Sequence, residues 1–171
     1  MKNLCTFVTV LFLIVLPMVS CKDLNTPKKA CSRASLLKRN EKLYNKTITG
    51  FKASFPRDTI MDIKLLTDNV RKDFMESCDM RHQLLSFYLK DVLRNNKVFS
   101  KARKFDFIQD FMIIQEMLSH CSKSKCSEHD TELQSMKNLK KKFHELNKDK
   151  KLWKAISELE ILLRWIHYYL H

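Results

Sequence analysis

The chain has 171 residues with one Gly and three Pro, 44% hydrophobic and 30% charged residues, and a formal net charge of +13. That length favours one domain, and the composition is globular rather than disordered. A single Gly excludes a P-loop, a dinucleotide-binding fingerprint and most sandwiches and barrels, which need Gly in turns and phosphate loops; the charge points to acidic partners and says nothing of fold.

Met1-Lys2-Asn3 carries one positive charge, Leu4 to Leu16 is uncharged, and Pro17 breaks any helix. Val19-Ser20-Cys21 offers small residues for cleavage before Lys22. This layout predicts a secretory signal peptide over 1–21 and a secreted, extracellular domain over 22–171. The competing reading, a membrane anchor, needs about 20 apolar residues and finds fewer here. No later run reaches spanning length, so no integral membrane segment is expected.

Cys5 and Cys21 leave with that leader if cleavage follows Cys21; Cys31, Cys78, Cys121 and Cys126 remain. An even number in an oxidising compartment reads as two disulfides, with three possible connectivities. A zinc site of His120, Cys121, Cys126 and His129 is the alternative. The secretory route disfavours it, and it leaves Cys31 and Cys78 without a role.

Helical spacing recurs through the rest. Residues 33–55 place Leu37, Tyr44, Ile48, Phe51 and Phe55 on one face. Glu41 interrupts that stripe, Gly50 weakens it, and Phe55-Pro56 ends it. Asp58 is placed to cap a short segment holding Ile60, Ile63, Leu65 and Leu66. Residues 79–93 are apolar on most sides and read as the central, most buried helix, stopped by Asn95-Asn96. Residues 104–119 carry Phe107, Phe111, Ile114 and Leu118; residues 130–146 carry Leu133, Met136, Leu139, Phe143 and Leu146. Residues 152–170 alternate spacings of four and three from Leu152 to Leu170 without a miss, with Trp165 in or near the core and Trp153 at the helix start. Six helical segments and no strand pattern predict an all-α bundle.

Two runs carry a family resemblance. Lys154-Ala155-Ile156-Ser157-Glu158-Leu159-Glu160-Ile161-Leu162-Leu163 resembles the last-helix signature of the interleukin-10 cytokine family, with Glu160 where Asp is commoner. Phe74-Met75-Glu76-Ser77-Cys78 followed by Gln83-Leu84-Leu85-Ser86-Phe87-Tyr88 resembles the family's second cysteine leading into its central helix. The resemblance implies a six-helix cytokine bundle with two disulfides, Cys31–Cys121 and Cys78–Cys126. In the chain-entropy model such bridges close loops of roughly 90 and 50 residues and contribute about 4 kcal/mol each. It also implies a partner: two different class II cytokine receptor chains, here the interleukin-20 receptor alpha chain and the interleukin-10 receptor beta chain, bridged to trigger JAK-STAT signalling in immune and epithelial defence. Family members occur as monomers and as intertwined homodimers.

By the same resemblance the loop after the first helix offers Arg57, Asp58, Asp62 and Lys64 to the first receptor, and the last helix offers Lys154 and Glu158. The plainer reading of each is a solvated surface charge, and Lys154 and Glu158, four apart, can pair weakly. The second receptor would meet a face including the first helix and a middle helix. Asn45-Lys46-Thr47 is a glycosylation sequon on that first helix.

The basic stretches support a second function, a cationic host-defence protein that binds heparan sulfate, DNA or anionic bacterial membrane. Its residues are Lys137, Lys140, Lys141, Lys142, Lys148, Lys150 and Lys151, joined by the basic 22–46 stretch if the first and the 130–146 helices lie together. DNA contact would be to phosphates, since no zinc-finger spacing is present. Amphipathic 130–146 also resembles a membrane-active peptide, although its apolar face suits a core. An enzyme is the least expected class: no catalytic constellation, cofactor or metal site stands out.

Overall fold

The computed structural model describes residues 33–120, 132–147 and 149–171. Among them the chain is all-α, with seven α-helices and no strand. Its first helix, α1 (Arg33–Lys46), runs on through a π-helical turn at Thr47–Phe51 and a 3-10 turn at Lys52–Ser54. It stops where Phe55, extended at φ −121, precedes Pro56.

The buried line of α1 is Leu36, Asn40, Leu43, Thr47 and Phe51, rotated from the stripe that spacing alone gives. Leu37 and Tyr44 are half-buried and Ile48 is exposed. The reason is that α1 packs between two later helices, so its covered arc is wider than its apolar one. Polar residues inside that arc donate to backbone carbonyls, although the buried Asn40 Oδ1 finds no partner. Asn40 Nδ2 donates to the Leu163 carbonyl at 2.9 Å, and the Thr47 hydroxyl to the Leu43 carbonyl at 2.8 Å.

The expected helix after Asp58 does not form. Residues 55–67 are a loop, and Asp58 Oδ1 instead accepts the Ile60 amide at 2.9 Å in a local turn. The cap that does start a helix is Thr67, whose hydroxyl accepts from the Val70 amide at the head of α2 (Asp68–Glu76). Ser77 breaks the chain direction and caps α3 (Cys78–Phe87), which continues as a π-helical segment over Tyr88–Leu93. This is the central element: Leu84, Leu85, Tyr88, Val92 and Leu93 are fully enclosed. The buried Tyr88 hydroxyl donates to the Ala155 carbonyl at 3.3 Å.

Asn95 ends α3 as expected, but it also caps α4 (Asn96–Lys104), accepting from the Lys97 amide at 3.1 Å. Asp106, in the left-handed region at φ 58, turns the chain into α5 (Phe107–His120). Then come α6 (Gln134–Glu145) and α7 (Lys150–Leu170). Seven helices therefore replace the expected six: the 58–66 segment is lost, and α2 and α4 are gained. Each of those two buries only a pair of residues, Val70 with Phe74 and Val98 with Ala102, too few to show as periodicity.

In the packing, α1 lies against α5 and α7, α3 against α2, α5 and α6, and α6 against α2, α3 and α7. Phe51, Phe74, Phe107, Phe111 and Phe143 fill the interior with less than 2% exposure. Each fully buried aromatic contributes on the order of 2–3 kcal/mol through lost water contact. Trp165 is in the core, and Trp153 covers the start of α7 with its ring 5.4 Å from that of Phe55. No helix among the described residues is long and apolar enough to cross a membrane.

Candidate functional site

The loop from Phe55 to Thr67 lies against α7, and side chains of that helix hold its backbone at two places. Nearer its start, Lys154 Nζ donates to the Ile60 carbonyl at 2.7 Å and lies 3.0 Å from Asp58 Oδ2. Ser157 Oγ donates to the same Asp58 oxygen at 3.0 Å. Nearer its end, Glu158 accepts the Leu65 amide at 3.1 Å and the Leu66 amide at 2.8 Å. Lys154 Nζ and Glu158 Oε1 are 3.4 Å apart, so one buried cation joins the two carboxylates. Burial pushes the Asp58 carboxyl up, but the Ile60 amide, Lys154 and Ser157 outweigh it and hold the group below its usual range.

This geometry overturns the solvated-charge reading for three of these residues. Lys154 and Glu158 are not solvated charges; each is only 5% exposed. They are covered by the loop and hold it rather than meet solvent. Asp58, largely covered, belongs with them. Arg57, Asp62 and Lys64 are exposed on the loop.

Between them stands a residue that the sequence reading passed over. Met61 is 86% exposed, the most exposed of the large apolar side chains among the described residues. The available signal was its setting: an apolar residue beside Asp62 in a stretch without helical period. Beside the loop a groove of about 660 Å³ runs between the end of α1 and α7, lined by Ile48, Lys52, Phe55, Arg57, Ser157 and Glu160. Burial raises the Glu160 carboxyl, while Lys52 at 3.2 Å and Arg164 overcome that and hold it low. Arg164 Nε donates to the Tyr44 hydroxyl at 3.1 Å, and Ile161, Arg164 and Tyr168 continue the exposed stripe along α7.

The lysines are arranged differently. Lys137, Lys141, Lys142 and Lys150 are exposed. Lys140 pairs with Glu132 at 2.5 Å, and Lys141 lies 3.9 Å from Glu145. The Lys151 ammonium sits 5.0 Å from the Phe143 ring centroid. Lys148 lies outside the described residues. α1 and α6 both pack on α7, and no main packing contact joins the two directly. The apolar face of α6 (Met136, Leu139 and Phe143) is core, not a free membrane-active face.

Asn45 is exposed on α1. Cys78 is buried and disulfide-bonded. Cys31, Cys121, Cys126 and His129 lie outside the described residues, so the pairings Cys31–Cys121 and Cys78–Cys126, and the alternative zinc set that adds His120, fall there too.

No family model matches the chain. It is 35% identical over 145 residues to interleukin-26 of Homo sapiens, covering 85% of this chain and 82% of that protein. It is 29% identical over 125 residues to interleukin-24 of Mus musculus, covering 67% of this chain and 68% of that one. With the all-α architecture and the last-helix run in place, this extent of likeness shows that the chain belongs to the interleukin-10 family of class II helical cytokines.

Proposed function

We propose that the chain is a secreted cytokine that bridges two class II cytokine receptor chains, the interleukin-20 receptor alpha chain and the interleukin-10 receptor beta chain, and so triggers JAK-STAT signalling. The first docks on the 55–67 loop and the adjoining groove of α7. Kinship with two interleukins supports the class, and the leader-like 1–21 segment supports secretion. One observation carries the docking surface: Met61 is 86% exposed on a loop whose backbone is tied to α7 on both sides of it. An exposed apolar side chain on a fixed backbone is a low-entropy anchor, and Arg57, Asp62 and Lys64 around it supply orientation by charge.

The test is receptor binding by purified protein. Met61→Ala and Arg57→Glu each lower affinity for the alpha-chain ectodomain by about tenfold or more, a hot-spot effect, with an unchanged thermal midpoint. STAT phosphorylation falls in parallel. Wild-type binding by both variants overturns this docking surface.

A further inference from the structure

Residues 54–66 contain no α-helix or strand, yet their backbone is held from more than one side. Besides Lys154 and Glu158 of α7, a lysine of α4 takes part. Lys101 Nζ donates to the Ser54 carbonyl, the last residue of the 3-10 turn that ends α1. The same ammonium lies 4.5 Å from the Phe55 ring centroid. Phe55 is 8% exposed, with its ring 5.0 Å from Phe51 and 5.4 Å from Trp153 at the start of α7. One turn earlier on α4, Lys97 pairs with Asp149, the residue before α7. Two lysines a turn apart thus hold the exit of α1 and the entry of α7, the two elements that flank the docking loop.

We propose that Lys101 is a positioning residue for receptor binding, with Lys97 bracing α7 beside it. It acts from a helix that supplies no side chain to the docking groove. The inference rests on the docking surface argued above and adds what fixes its shape. Phe55 is where regular helix gives way to loop, so its setting determines where Pro56, Arg57 and Met61 begin. A carbonyl at a helix end lacks an intrahelical donor, and a cation satisfies it while also facing the aromatic ring. Without Lys101, Ser54 and Phe55 keep only the local bonds of the 3-10 turn, from the Phe55 amide to the Lys52 carbonyl and from the Ser54 hydroxyl to the Phe51 carbonyl, and the packing of the Phe55 ring. The loop then samples other exits from α1, and apparent affinity falls by the fraction of time spent outside the docked shape.

Two measurements on the secreted chain test this. One is amide hydrogen exchange over 55–66; the other is association kinetics with the alpha-chain ectodomain. Lys101→Met is expected to speed exchange over 55–61 and weaken binding about five- to tenfold, mostly through slower association, since fewer molecules are competent at encounter. Lys101→Arg, which keeps donor and charge, is expected to restore both. A merely structural role would lower the thermal midpoint without selective exchange in this loop. Wild-type exchange in Lys101→Met, or wild-type binding while Met61→Ala binds weakly, overturns the inference alone. Wild-type binding by both variants overturns the docking surface on which it rests.

Discussion

Lys154 and Glu158 stand one turn apart on α7 in an order that gives a weak pair on a solvated helix. Here both are buried, and what they hold is backbone 92 to 94 residues away in sequence. Their spacing is the same in either setting, so sequence marked them as important through family likeness and could not say that the loop covers them. Removing the cation leaves the Asp58 and Glu158 carboxylates covered and unbalanced. Lys154→Met is therefore expected to destabilise the fold by about 3 kcal/mol, read as a lower urea midpoint with an unchanged slope. The titration of Asp58 sets a second expectation. Its folded pKa lies below the usual 3.8, so its contribution is fully present above that value and is lost only as pH falls through the lower folded one. Exchange rates of the Ile60 amide, corrected for intrinsic pH dependence, should thus be the same at neutral pH and at about pH 5. Release of the loop near pH 5 would show that Asp58 is not the group holding it.

At the scale of elements, the long helices were legible because they repeat apolar residues over several turns. The last helix was read from 152 and forms from Lys150, and the central 79–93 segment is as enclosed as its composition indicated. The short elements were not legible. A nine-residue helix with two buried side chains leaves little periodic trace, and α4, which braces the docking loop, is one of these. Gly50 was read as a weak point of the first helix, and the structure gives its reason. A Cβ there would lie 3.0 Å from Phe105 Cε1 and 3.2 Å from Cζ, so the π-helical turn passes close against that ring. Gly50→Val should cost about 2 kcal/mol by overpacking. Adding Phe105→Ala should recover part of that cost, so the double variant is more stable than the two single losses summed. A double-mutant cycle by chemical denaturation measures the difference, and strict additivity would show that the ring is not the obstacle.

Across the whole molecule, the proposed docking surface is assembled from distant parts of the chain. Its anchor, Met61, lies on a loop, its floor includes Ile48 at the end of α1, and its ties come from α7 and α4. Such a site is invisible to local pattern reading, because every tie spans tens of residues and depends on which helices become neighbours. A consequence follows for the loop as a free peptide. Cut from the fold, residues 54–67 lose Lys101, Lys154 and Glu158, and must be ordered on binding at a cost of about 1–2 kcal/mol per residue fixed. Even if few of those residues need fixing, a synthetic 54–67 peptide should bind the alpha-chain ectodomain at least about a hundredfold more weakly than the folded chain. Competition of the peptide against the intact protein measures the ratio. A peptide within tenfold of the folded chain would mean that binding resides in the loop's own sequence, and that the buried ties from α7 and α4 contribute little to it.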